Sequence, residues 1–169
     1  MKKQSSGEER KTRRKTLQKI LIIGIGNDYR CDDGVGLVIA RALRERLPES
    51  VLIKEESGEG AALIEAWQGC ERVVLIDAIS SGATQGTIFK LDIRKNKVPA
   101  NYFHSSSHAF GLAEAIELSR VMNTLPQELL VYGIEGGTFH AGRTLSRSVQ
   151  GSAQRVVRQI IKLIDRAVR

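Results

Sequence analysis

The stretch Lys19–Leu47, KILIIGI followed by GNDYRCDDG and VGLVIARALRERL, decides the architecture. Its first seven residues, Lys19 to Ile25, hold a short apolar run rich in β-branched isoleucine, with no alternation of polar and apolar positions. Such a run reads as a strand buried on both faces. Gly26 to Gly34 reads as a loop. Val35, Val38, Ile39, Ala42, Leu43 and Leu47 then recur at helical spacing, and Pro48 ends the helix.

Working outward, strand and helix signals keep alternating. Val51 to Glu56 reads as a strand, and Ala61 to Trp67 as a short helix after the glycines at 58 and 60. Arg72 to Ala78 (RVVLIDA) is four apolar residues in a row closed by an acid, again a buried strand. Thr87 to Leu91 reads as a strand after the turn Ser81-Gly82, and Lys95 to Ser107 as irregular. His108 to Met122 is helical, with Leu112, Ala115, Ile116 and Met122 near one face. Glu128 to Ile134 is the last strand. Ser146 to Val168 is a long amphipathic helix whose stripe is Val149, Ala153, Val156, Val157, Ile160 and Ile164. Alternation of this kind implies right-handed crossovers. The expected fold is a three-layer α/β/α sandwich with a mainly parallel twisted sheet. Strand order does not follow from the sequence.

Composition narrows the function. The 169 residues suit one domain, 41% hydrophobic and 27% charged as in ordinary globular proteins. No apolar run approaches the ~20 residues that span a bilayer, and the polar N-terminus lacks the apolar core of a secretory signal. Two cysteines make neither a disulfide framework nor a four-thiolate zinc site, so the expected setting is cytoplasmic and reducing. Seven Lys or Arg against two Glu give residues 1–16 a net +5 of the chain's +7. These residues are expected to be a disordered basic tail, with a single α/β domain over 17–169. The body carries no basic stripe interleaved with aromatics, so a nucleic-acid partner is weakly supported.

In an open α/β sheet, ligands bind outside the carboxyl ends of the strands. The reading places Asn27, Asp28, Asp32 and Asp33 there after the first strand, Glu55, Glu56 and Glu59 after the second, and Glu135 after the last. Asp77 closes the RVVLI strand, and Ser105-Ser106-Ser107 precede His108. A dinucleotide fingerprint would need glycine at the sixth place counted from Gly24. Tyr29 stands there, and Asp32 and Asp33 would repel phosphate, so a nucleotide-binding reading is disfavoured. Either acid could instead cap the following helix. Asp77, ending an apolar strand, needs partners or a shifted pKa; it could cap the turn at Ser80 and Ser81 or bind a metal. His108 taken alone could be an ordinary surface or core histidine. The serines lack a nucleophile-elbow pattern, and acids beside Cys31 oppose thiolate formation. Taken together, two carboxylates and one imidazole from three strand ends form a mixed oxygen and nitrogen ligand set with positions left open for water or substrate.

These residues carry a resemblance. Gly24-Ile25-Gly26-Asn27 followed by Asp32-Asp33-Gly34-Val35-Gly36, then Val73-Val74-Leu75-Ile76-Asp77-Ala78, then Ser106-Ser107-His108-Ala109-Phe110-Gly111-Leu112, with Tyr132-Gly133-Ile134-Glu135 behind them, resemble the hydrogenase maturation proteases in order and spacing. The resemblance covers about Lys19 to Val168. It implies an endopeptidase that trims the C-terminal extension of the large-subunit precursor of a [NiFe]-hydrogenase. It also implies that Asp33, Asp77 and His108 form the catalytic and metal-contacting set, facing nickel already carried by the precursor; other divalent metals could occupy the same set. Asp33 has a shorter reach than the Glu found at that place in some members. Glu56 best matches a further family acid, with Glu55 as the alternative, and Asn27, Asp32 and Glu56 are candidate substrate contacts. The expected partner is the precursor, with no membrane, and the expected state is a monomer. The other reading is a nickel-sensing chaperone or binding module of the same fold without hydrolysis.

Overall fold

The computed structural model describes residues 19–96 and 111–168. The basic tail, His104, Ser105–Ser107 and His108 lie outside the described residues. Five strands form one sheet: β1 (Ile20–Ile25), β2 (Val51–Glu56), β3 (Arg72–Ile79), β4 (Ile88–Asp92) and β5 (Glu128–Glu135), in the spatial order β2-β1-β3-β5-β4. All neighbouring pairs are parallel except β4 with β5. The helices are α1 (Val35–Arg44), α2 (Gly60–Trp67), α3 (Leu112–Val121) and α4 (Arg147–Val168). None is long and apolar enough to cross a membrane.

The unalternating strands are explained by the two cores they serve. Ile20 and Ile22 of β1 and Val74, Ile76 and Ala78 of β3 join the side chains of α1 and α4 on one face. Leu21, Ile23 and Ile25, with Val73 and Leu75, join those of α2 and α3 on the other. The unbroken apolar runs Ile20–Ile25 and Val73–Ile76 follow from both faces of these central strands being covered. This is the expected three-layer sandwich.

The strand order creates a crevice. From β1 the chain runs through α1 on one face to β2, then through α2 on the opposite face back across to β3. The connections diverge between β1 and β3, where an open sheet parts at its carboxyl edge. Pairing of β1 with β3 ends at Gly24 and Ile76, while β3 stays paired with β5 through Ile79 and Glu135. The sequence reading ended this strand at Ala78; the longer β5 carries it one residue further, so Asp77 lies within the strand, opposite Gly133.

Two other boundaries shift. The first helix ends at Arg44 and not at Leu47: the amides of Arg46 and Leu47 both donate to the Leu43 carbonyl, which tightens the last turn. The final helix begins at Arg147, because the Ser146 amide is taken by Asp32.

The N-terminus of α1 is pressed onto the crevice. A Cβ on Gly36 would overlap the carbonyl oxygens of Ile25 and Ile76, and one on Gly24 would overlap that of Gly36. These two glycines let α1 sit directly on the ends of β1 and β3. Gly36→Ala should therefore lower unfolding free energy by about 2–3 kcal/mol through overpacking, measurable as a shift of the urea midpoint at unchanged slope.

Candidate functional site

The loop between β1 and α1 is shaped by backbone contacts before any side chain matters. The Gly26 amide donates to the Glu56 carbonyl at 3.1 Å and the Asn27 amide to that of Asp33 at 3.3 Å. Gly26 has φ +148°, and a Cβ there would strike the Asp33 carbonyl. Residues Cys31–Gly34 form one 3-10 turn leading into α1, with no side-chain cap on either helix. Neither Asp32 nor Asp33 is an N-cap.

The two adjacent acids have opposite surroundings. Asp32 is 0% exposed. Its Oδ2 accepts from the Gly137 amide (2.9 Å), the Thr138 amide (3.0 Å) and hydroxyl (2.9 Å), the Ser146 hydroxyl (3.1 Å) and Gln85 Nε2 (3.2 Å). Its Oδ1 accepts from the Ser146 amide at 2.7 Å. Burial pushes its pKa up, but these donors outweigh burial and leave it below 3.8. Expected as a candidate substrate contact, Asp32 has no surface to offer a substrate and instead ties its loop to the segment after β5. Asp33 is half-buried; burial raises its pKa, and only the nearby charge of Arg30 opposes.

Asp77 stands across the crevice. Burial pushes its carboxyl well above 3.8, the negative charge of Asp33 pushes the same way, and the Ala78 amide pulls only slightly back. The charge of Asp33 thus reaches Asp77 across the crevice. The turn-capping alternative for Asp77 falls to Glu135: its buried carboxylate accepts from the Ser81 amide and hydroxyl and from the Gly82 amide at 2.8–3.1 Å. Asp77 is left without that role.

Other rim acids are committed elsewhere. Asp28 takes both terminal nitrogens of Arg41, at 2.9 and 2.6 Å, and Glu55 takes Arg41 Nε and Arg44, each at 2.9 Å. Those cations hold both carboxyls below their usual range, though burial works against them at Glu55. Glu59 caps α2 through the amides of Ala61 and Ala62. Asn27 is exposed, its Oδ1 holding the Tyr29 amide at 2.9 Å. Glu56 is half-buried and does not join Asp33 and Asp77 in a three-ligand group; no cluster of three His, Cys, Asp or Glu groups occurs among the described residues. His108 lies outside them. Cys31, with φ +50°, is buried, its Sγ 3.7 Å from His140 Nδ1.

Two desolvated carboxylates within reach of each other's field and with little neutralising charge suit a cation. A divalent ion would restore what burial removes, and its binding would displace protons. Sequence reading alone misses Gln85, Thr138, Ser146 and Arg41 as the residues that sort these acids. No local signal marks them, since three of them reach Asp32 from 53 to 114 residues away.

A family model described as hydrogenase maturation protease matches residues 38–163. The chain belongs to this family. A hydrogenase expression/formation protein, HoxM, of Azotobacter vinelandii is 30% identical over 124 residues, 71% of this chain and 59% of that protein, so the match spans less than two thirds of the relative. The hydrogenase 2 maturation protease of Escherichia coli K12 is 27% identical over 147 residues, covering 85% and 88%. Among solved structures, the [NiFe] hydrogenase maturation protease HybD from Thermococcus kodakarensis superposes with a TM-score of 0.66 at 27% identity, covering 86% of this chain and 98% of that one. In this family member, Asp77 falls inside the matched region and Asp33 five residues before it.

The acids predict opposite pH behaviour. A raised carboxyl pKa means that the folded metal-free protein loses stability as pH climbs from 3.8 through the folded value of Asp77. Asp77→Asn should remove that loss and raise Tm at neutral pH by roughly 2–4 °C for about each kcal/mol recovered. The contribution of Asp32 is instead present above 3.8 and lost as pH falls through its lower folded value. Asp32→Asn turns an amide NH2 toward donors and should cost about 3 kcal/mol at neutral pH. Thermal unfolding from pH 3 to 8 checks both signs.

Proposed function

We propose that the chain is an endopeptidase that removes the C-terminal extension of a [NiFe]-hydrogenase large-subunit precursor, recognising the nickel in that precursor through Asp33, Asp77 and His108. The observation that carries this reading is the Asp33–Asp77 pair: two carboxyls with little counter-charge at the sheet's switch point, while Asp28, Asp32, Glu55, Glu59 and Glu135 are each met by donors. Family membership and the names of its relatives support the reaction class.

Alternation along β3 supports the third ligand. Val73 and Leu75 belong to the core shared with α2 and α3, so Asp77 falls on that same face. Gly111, the N-cap of α3, stands three residues after His108 in sequence. An imidazole suits nickel, and two carboxylates add harder ligands with positions left open for substrate.

In the reaction, the chain's own residues supply recognition and orientation. Burial favours the protonated form of both Asp33 and Asp77, and an arriving cation favours the ionised form, so the precursor's ion strengthens its own attraction to the pair. A bound divalent ion supplies Lewis acidity toward a carbonyl or water. Asp32 and its six donors keep Asp33 fixed while the precursor docks. The reading implies a cytoplasmic monomer acting on one precursor at a time.

Incubation with nickel-loaded large-subunit precursor should shorten it on a denaturing gel. His108→Ala and Asp77→Asn should each reduce the rate to about one hundredth or less, with circular dichroism unchanged. Full processing by both variants removes the site assignment. Tight association without shortening by the wild-type protein would make it a binding module.

A further inference from the structure

Between α1 and α4 lies a groove of about 580 Å³. Its apolar floor includes Val38, Ala42, Leu145 and Val157. Three arginines line it, Arg46, Arg143 and Arg158, and no acid does. The charge is unbalanced in a way the rest of α1 is not. Arg41 and Arg44, on the side toward β2, are paired with Asp28 and Glu55. Arg46 and Arg158 are exposed and have no ion pair among the described residues. The guanidinium of Arg143 lies over the Tyr29 ring, 4.4 Å from its centre.

A concave surface lined by one sign of charge over apolar walls focuses its field on an incoming anion. The volume suits a few side chains. No aromatic residue lines the groove, so it offers no platform for stacking bases. One end of the groove adjoins the segment that holds Asp32. Thr144 and Leu145 adjoin Ser146, which binds Asp32, and Arg143 covers Tyr29 in the loop that carries Asp33.

We propose that the α1/α4 groove docks an acidic peptide segment bearing apolar side chains, contributed by the precursor near the processed terminus. This rests on the endopeptidase reading and adds a specificity surface to it. Carboxylates of the segment meet Arg46, Arg143 and Arg158, and its apolar side chains cover Val38 and Leu145. The groove holds the substrate by charge and shape, and Asp33 and Asp77 test its metal.

The test uses the full chain and a hexapeptide of Glu and Leu carrying a net-neutral dye, with a Lys and Leu hexapeptide as control. Fluorescence anisotropy should show binding of the acidic peptide only, weakened about tenfold by Arg46→Glu/Arg158→Glu and weakened also by salt. The same double variant should raise KM for nickel-loaded precursor about tenfold at unchanged kcat. If the reversal variant fails to fold by circular dichroism, Arg46→Gln/Arg158→Gln should give a smaller loss in the same direction. Equal peptide affinity of folded variant and wild type overturns the proposal, as does stronger displacement of the peptide by a single-stranded oligonucleotide of equal charge. Loss of neither affinity nor KM with processing intact ends the docking role and leaves the peptidase standing. Arginine-dependent peptide binding without any processing upholds the groove and ends the peptidase reading.

Discussion

Asp32 is a buried ion that would be expensive to hide without partners. The Gly137, Thr138 and Ser146 amides, two hydroxyls and a carboxamide converge on it, so the ionised form is the favoured one. The bonds join the loop after β1 to the segment after β5. Backbone bonds from Cys31 to the Gly142 carbonyl and from Asp32 to that of Thr138, each 2.9 Å, run along the same seam, as does Arg30 Nε to the Phe139 carbonyl at 3.2 Å. The position of Asp33 follows from this seam. Its own carboxyl makes little contribution to fixing the loop, which leaves it free for a ligand.

The site thus depends on unequal treatment of like groups. Asp28, Glu55, Glu59 and Glu135 are each met by guanidinium, amide or hydroxyl donors. Asp33 and Asp77 are desolvated, and each is left with a single weak opposing influence, Arg30 for one and the Ala78 amide for the other. Keeping two carboxyls poorly hydrated costs free energy that a proton or a nearby positive charge relieves. Function and stability pull apart at Asp77 for that reason.

The fold was legible because its decisive segments are local patterns: KILIIGI and RVVLIDA each hold an unbroken apolar run, and α1 and α4 repeat at helical spacing. Strand order was not, because it is set by pairings between segments such as Ile20 with Arg72 and Arg72 with Glu128, which no local pattern records. Asp33 and Asp77 could be picked out as rim acids, yet Asp32 and Asp33 are the same residue type side by side. What separates them is which carboxylate faces Gln85, Thr138 and Ser146, a fact of tertiary packing. The capping alternative at Asp77 is closed by Glu135, an acid 58 positions later whose carboxylate takes the Ser81 and Gly82 donors. His108 lies outside the described residues, and its place rests on motif and spacing.

The position of β5 has a consequence for the order of events during synthesis. β4 is made before β5 but pairs only with it, and β3 gains its second neighbour from the same strand. A nascent chain that has not reached Glu135 therefore has β4 without a partner and half of the central strand uncovered. Residues 137 to 146, which clamp Asp32, arrive later still. Assembly of the crevice is thus deferred until residue 146 has been made, and a shorter nascent chain lacks the clamp on Asp32 that sets the place of its neighbour.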